Sequence, residues 1–365
     1  PISIRKRALH GGLTEGVDVV EISNGALSFT VVPTRGMGIW RGDYRGNRIG
    51  WLSPVRGPVN PKFVHAEARG GLGWLGGFDE CIVRCGAESN GPPGMDVMPN
   101  NTGEPTKTPL TLHGRIANIP AHYVAVEVVN SNPPELAITG IVDEAMLFCP
   151  QLRLTTRIST RIGSNSFTIS DEIANLKSTV AEMQMLYHCN FGKPFMDKGA
   201  RLVLPAAETA PRNAYPDKDV REWSRYNGPT PGYVEQCFWH VPAGDARGNT
   251  LALLRNAAGS KGVAVRFNTN QLPCFTQWKN TGAESDGYVT GLEPATNLPN
   301  AKVFERQQGR VVRLAPGRKH RMNLTVEVCG DAAGVRKLER EIRGLQGKTP
   351  HGVHVAPQAK YSPLS

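Results

Sequence analysis

The sequence predicts an all-β protein, a large antiparallel sandwich carrying a short C-terminal helix. Three observations predict it. Apolar and polar residues alternate in short runs from about Val19 to Glu327. Turn-forming residues separate many of these runs at a spacing of roughly 10–14 residues. Only one stretch, 331–345, carries a helical pattern.

In chain order the runs are ALSFTVVP (26–33), HYVAVEVV (122–129), ELAITGIV (135–142), LRLTTRIST (152–160), SFTISDEI (166–173), TLALLRN (250–256), GVAVRFN (262–268) and MNLTVEVC (322–329). Each places its apolar residues on one face of a pleated strand. Turn chemistry lies between runs: SNG at 23–25, RGN at 45–47, NSNPP at 130–134, GSN at 163–165 and PGR at 316–318. Two stretches break the pattern and read as long loops rich in polar residues and proline: 86–110, which ends at an expected strand, and 207–232. Loops of this length in a compact domain are usually functional or mobile. In DAAGVRKLEREIRGL, Asp331 is placed to cap the helix and Gly344 lies near its end. The tail after Gly347 reads as a loose arm. With no boundary visible, the expected organisation is a single β domain over 1–330 followed by a helix and tail over 331–365.

The 365 residues include 40 Gly and 28 Pro, a balance that suits strands joined by tight turns. No apolar run approaches the roughly 18 residues of a membrane span. The seven cysteines are odd in number and scattered, and Cys81 and Cys85 have no second pair to complete a zinc set. They read as free thiols of a reducing compartment, so the expected location is the cytoplasm. The chain opens PISIRKRALHGG, without a signal-type apolar region or an initiator methionine, as if an upstream segment had been removed. The net charge of +10 is spread out, with clusters only at Arg5–Arg7 and Arg318–Arg321 and no interleaved aromatics. That distribution argues against nucleic acid; it fits either a field that steers an anionic small substrate or a solvated basic surface.

Two residues carry the candidate chemistry. Glu293 ends the strand-like DGYVTGL, where Pro294 turns the chain out of the ladder. His188 ends MQMLYH, just before CNFGKP. A carboxylate and an imidazole supply an acid and a base near neutral pH. The plain alternatives are a salt-bridged glutamate and a hydrogen-bonded core histidine. Asn190 follows His188 closely enough to hydrogen-bond a ligand. His113 and Arg115, in LTLHGRIANIP, are separated only by Gly114 and could approach a ligand together, or be a turn histidine beside a surface arginine. Trp278 and Lys279 pair a stacking surface with a cation, and aromatic faces suit the C–H face of a pyranose. Glu235 is a second carboxylate, or a salt-bridged one. Arg35 and Arg84 are weaker candidates that could equally brace loops. RGMGIW and GGLGWLGG follow neither dinucleotide nor P-loop spacing, and no GxSxG or HExxH run is present. Nucleotide-dependent, serine-hydrolase and zinc-protease chemistry are therefore disfavoured.

At these residues the chain resembles the galactose mutarotase-like superfamily, and more closely the aldose 1-epimerase-related DUF4432 family. The resemblance rests on RGM (35–37), LHGRIANIPA (112–121), YHCNFG (187–192), the Glu235 segment, WKNTG (278–282), GLEPATNLPN (291–300) and the closing GRVVRLAPGRKHRMNLTVEV (309–328). It spans about residues 20–330. It implies a β-supersandwich with a carbohydrate, neutral or anionic, bound in a cleft on one sheet. It implies that Glu293 acts as base and His188 as acid, with His113 positioning, and with no metal or organic cofactor. Here Tyr187 precedes the histidine where mutarotases have asparagine, Arg84 or Arg115 would supply the family's arginine, and Glu235 would replace its hydroxyl-binding aspartate. The other readings of such a site are a carbohydrate-binding protein without chemistry, or a lyase acting on an acidic sugar. Neither nucleic acid nor a membrane is an expected partner, and the chain is expected to be a monomer or homodimer.

Overall fold

The computed structural model describes residues 1–363. Among them, thirteen strands form one sheet and eight form a second. The main path of the large sheet runs Ile2–Leu9, Val17–Asn24, Leu27–Val32, Gly38–Tyr44, Ile82–Ala87, Ala181–Phe191, Val289–Ala295, Cys274–Asn280, Gln236–Pro242, Ala206–Pro211 and Gly352–Val353. The second sheet runs Arg201–Val203, Asn249–Arg255, Gly262–Asn268, Lys319–Cys329, Ser166–Asn175, Gln151–Arg161, Glu135–Ala145 and Tyr123–Val129. All eight runs predicted as strands are strands.

Period-two alternation decides what each sheet buries. Leu152, Leu154, Ile158, Phe167, Ile169, Leu324 and Val326 of the smaller sheet meet Phe29, Val31, Met185, Tyr187, Cys189 and Phe191 of the larger one. Between the sheets a buried ion pair joins Arg84 Nε to Asp171 Oδ2 at 2.5 Å, and the Tyr187 hydroxyl donates to the same oxygen. The middle of the large sheet is covered on its outer face as well, where Trp74, Phe78, Val83, Cys85, Leu186, Val289 and Ala295 cluster. Although buried on both faces, the Ala181–Phe191 strand still alternates: Ala181, Met183, Met185, Tyr187, Cys189 and Phe191 face the core, while Glu182, Gln184, His188 and Asn190 share the outer face with Leu186.

The helix Ala332–Gln346 is capped by Asp331, whose carboxylate accepts from Gly334 N at 2.8 Å. It lays Val335, Leu338 and Ile342 on Leu251, Leu253 and Ala264 of the small sheet. Three expectations are corrected. Residues 86–110 contain a hairpin, Gly94–Pro99 paired with Pro105–Leu110, closed by a turn in which Asn100 Oδ1 accepts from Thr102 N and Glu104 N. Residues 207–232 hold most of the Ala206–Pro211 strand and the helix Asp217–Arg221. The tail is docked rather than loose: Gly352–Val353 adds a parallel strand beside Ala206–Pro211, Glu208 binds His354 and Lys360, and Trp239 Nε1 donates to Ser362 Oγ. Polar side chains satisfied by specific partners hold these segments, so hydrophobic periodicity gave no sign of them. Residues 364 and 365 of the predicted tail lie outside the described residues. Among the described residues no helix is long and apolar enough to cross a membrane.

Candidate functional site

Three adjacent strands build the site on the outer face of the large sheet. On Ala181–Phe191, Tyr187 and Cys189 point into the core, so His188 and Asn190 point out. Antiparallel pairing sets Asn190 opposite Gly291, Gly291 opposite Trp278, and Glu293 opposite Thr276. Glu293 and His188 therefore converge over Gly291. A side chain at Gly291 would overlap Glu293 Oε1 and come within 3.1 Å of His188 Cε1. The glycine is the gap through which the two functional groups meet.

His188 Nε2 lies 3.2 Å from Glu293 Oε1. The two residues are 5% and 2% exposed. The approach is close but not aligned as a hydrogen bond, and Glu293 Oε1 has no other partner among the described residues. Burial raises the Glu293 carboxyl well above the ordinary range, and the negative charge of Glu235 pushes the same way against Arg212. Burial lowers His188 to about 3, assisted by His113. The pair is thus held at a single shared proton over a wide pH range.

Aromatic rings enclose the pair. The His188 ring lies 5.0 Å from Phe78, 5.3 Å from Trp278 and 6.4 Å from Trp74. His113 completes the wall, 4.7 Å from Trp74 and 5.6 Å from His188. His113 holds a left-handed backbone conformation, φ 59°, which is costly for a residue with a Cβ. Its N–H donates to Gly91 O and its Nδ1 to Asn90 O at 2.8 Å. Burial lowers its ring to about 4. At the rim, Glu235 accepts from Trp278 Nε1 at 2.6 Å and from Arg212 at 3.0 Å.

Glu293, His188, His113, Trp278 and Glu235 come together. Asn190 lies behind His188 rather than in front of it, with its Oδ1 on His188 Nδ1. The other sequence candidates are elsewhere. Arg84 is between the sheets. Arg35 is paired with Glu80 and donates to Val59 O and Asn118 Oδ1. Lys279 points to the opposite face from its neighbour Trp278 and caps the carbonyls of Trp223 and Arg225. Arg115 is exposed in a separate groove of about 460 Å³ beside Glu88 and Glu144. Strand alternation separates Trp278 from Lys279 and His188 from Tyr187. Sequence reasoning missed Trp74, Phe78, Arg212, Gly291, Asn90 and Asn297. Trp74 and Phe78 lie in and just after the GGLGWLGG run, whose clustering of large aromatics with glycine was the available signal. Among the described residues no group of three or more His, Cys, Asp or Glu is arranged to hold a metal ion.

The family model described as "Domain of unknown function (DUF4432)" matches residues 14–328. The chain belongs to the DUF4432 family. A solved structure from Klebsiella pneumoniae, described provisionally as an aldose 1-epimerase, is 39% identical, with 97% of this chain and 90% of that one covered and a TM-score of 0.90. A galactose mutarotase-like protein from Clostridium acetobutylicum superposes over 90% of this chain and 98% of its own, at 14% identity and a TM-score of 0.62. An Escherichia coli K12 protein, also described provisionally as an aldose 1-epimerase, covers 86% and 99% at 14% identity and a TM-score of 0.57. This DUF4432 protein therefore has the galactose mutarotase-like fold. Among curated proteins, none matches the sequence.

Proposed function

We propose that the protein interconverts the anomers of an aldose, with Glu293 as base and His188 as acid. The observation that carries this reading is the 3.2 Å approach of a buried imidazole to a buried carboxylate whose Oε1 has no other partner among the described residues. Glu293 takes the proton of the anomeric hydroxyl while His188 gives one to the ring oxygen. The C1–O5 bond breaks, C1 becomes a carbonyl, and rotation about C1–C2 presents its other face. Ring closure returns both protons to where they began. Opening converts a carboxylate–imidazolium pair into a carboxyl–imidazole pair, so the site needs one proton in total; burial favours that count and rests the proton on Glu293, from which it must pass to His188 before the ring opens. Proton transfer by positioned side chains contributes about 10²–10⁴-fold. Trp278, Phe78 and Trp74 offer apolar surface to a sugar's C–H face.

The acidic-sugar reading has little to rest on, because Arg35, Arg84 and Lys279 are engaged away from the pair, Arg115 sits in a separate groove, and Arg212 is matched by Glu235. NMR exchange spectroscopy on a panel of neutral and acidic aldoses tests the proposal. The expected result is accelerated α/β exchange with wild type and a loss of about 100-fold or more in Glu293→Gln. Exchange at the wild-type rate in that variant sinks it. Chemical-shift changes without acceleration would make the protein a sugar-binding module.

A further inference from the structure

We propose that Asn190 and Asn297 are positioning residues that fix both site imidazoles with the proton on Nδ1, so that Nε2 of His188 and Nε2 of His113 face the sugar. The inference deepens the anomer-exchange reading and rests on it for its kinetic arm; its spectroscopic arm stands alone.

The argument for His188 is one of donors and acceptors. Asn190 Nδ2 lies 3.0 Å from Glu80 O and 3.0 Å from His188 O. Both partners are carbonyls, which only accept, so the nitrogen of the amide must face them. Turning the amide over would set its oxygen against two oxygens. Its Oδ1 therefore faces His188 Nδ1, 2.5 Å away. An amide oxygen carries no hydrogen, so Nδ1 must supply it. In the neutral ring Nε2 is then a bare lone pair, and it is the nitrogen 3.2 Å from Glu293. Proton exchange with substrate and with Glu293 is thereby confined to one atom.

A second, separate amide does the same for His113. Its Nδ1 lies 2.8 Å from the backbone carbonyl of Asn90, again an acceptor only. The Asn90 side chain is clamped by Asn297 through a reciprocal pair, each Nδ2 donating to the other's Oδ1 at 2.9 Å. Asn297 is itself anchored by its Nδ2 on Leu298 O and by the Thr296 hydroxyl on its Oδ1. Both asparagines are fully buried. Asn297 stands four residues after Glu293, so one short run supplies the carboxylate and also holds the loop that orients the facing histidine. The left-handed backbone at His113 is held by that same loop, through Gly91 O. With Nδ1 occupied, His113 offers Nε2 as an acceptor for a sugar hydroxyl, and it cannot serve as a donor while neutral.

The test is 15N NMR of histidine-labelled protein, which separates the two neutral tautomers, alongside anomer-exchange kinetics. Wild type should show Nδ1–H for both rings. Asn190→Leu should lose that preference at His188 alone and lower kcat by about tenfold to a hundredfold with little change in KM. Asn297→Leu should disturb His113 alone and act mainly on KM. Asn190→Asp, protonated on the oxygen that faces the carbonyls of Glu80 and His188, keeps both a donor to them and an acceptor for Nδ1, and should restore the His188 tautomer, which a merely structural role would not require. An Nε2–H tautomer at His188 in wild type overturns the proposal, even if Asn190→Leu fails to fold. So does an unchanged tautomer in a folded Asn190→Leu. Expected tautomers in a protein without epimerase activity uphold the positioning and overturn the proposed function instead.

Discussion

At Gly291 the absence of a Cβ decides whether two functional groups can meet. Gly291→Ala would drive a methyl into Glu293 Oε1 and against His188. A displacement of about 1 Å at reacting atoms can cost roughly a hundredfold, so anomer exchange should fall by about that factor while circular dichroism stays native. Retention of full activity would mean that the 3.2 Å approach is not the working geometry. The pH profile follows from the single shared proton. Activity needs one proton on the pair, so it is lost when a second binds and when the first leaves. His188 is lowered to about 3, which puts the acid limb of kcat/KM well below the usual histidine range. Glu293 is raised, which puts the alkaline limb above the usual carboxylate range. Glu235→Gln removes a negative charge that opposes ionisation of Glu293, so the alkaline limb should move to lower pH. An acid limb near pH 6.5, or an alkaline limb unmoved by that change, would contradict the assignment. Glu293 and His188 were legible because each follows a strand-like run, but the expected strand ends were wrong: one strand runs on through Pro294, which pairs with Phe275, to Ala295, and the other past His188 to Phe191. Asn190 was legible as a site residue, but not its place behind the ring, because donors and acceptors can be matched only once the neighbouring carbonyls of Glu80 and His188 are located.

The Gly73–Gly77 turn with its flanking residues forms one wall over the pair. Trp74 and Phe78 cover the pair from this segment, and Leu72 and Leu75 lie exposed on its outer side. A pyranose can reach groups that are 2% and 5% exposed only if these rings give way. Hydrogen exchange over residues 65–78 should therefore change when a saturating sugar is added; the same protection with and without sugar would count against entry by this route. The run GGLGWLGG was set aside in the sequence because its spacing fits no phosphate loop. That exclusion is sound, yet the glycines allow this short turn to bring Trp74 against His113. Residues 86–110 and the tail were misjudged for a related reason. Their strands are held by Asn100, Glu208 and Ser362 through polar contacts, and such contacts leave no period in a sequence. The Asp331-capped helix, by contrast, combines a cap with an apolar stripe at Val335, Leu338 and Ile342, and both signals are local.

Across the whole molecule, Arg84 ties the large sheet to the small one rather than meeting substrate. It donates twice to Asp171 and once to Thr156, and also holds the carbonyls of Gly36 and Met37. Arg84→Met would leave Asp171 buried without its cation, a loss on the order of 3–5 kcal/mol. Thermal unfolding should shift down accordingly, and normal stability with a raised KM would reverse this reading. The all-β architecture was legible throughout, since alternation, turn residues and spacing agree from strand to strand. Which face of the large sheet carries the site follows from alternation, since Gln184, His188 and Asn190 fall on one face and Met185, Tyr187 and Cys189 on the other; that Trp74 and Phe78 cover that face was not legible. The ends of that sheet carry a last consequence. At one end the Ile2–Leu9 strand presents Arg5, Lys6 and Arg7, charges that discourage another chain from adding itself to the ladder. At the other end the blocking is done by the polypeptide itself, which lays Gly352–Val353 along Ala206–Pro211. Cutting the chain after Gly347 would open a ready-made template there, and sedimentation should then show edge-to-edge association beyond that of the uncut chain.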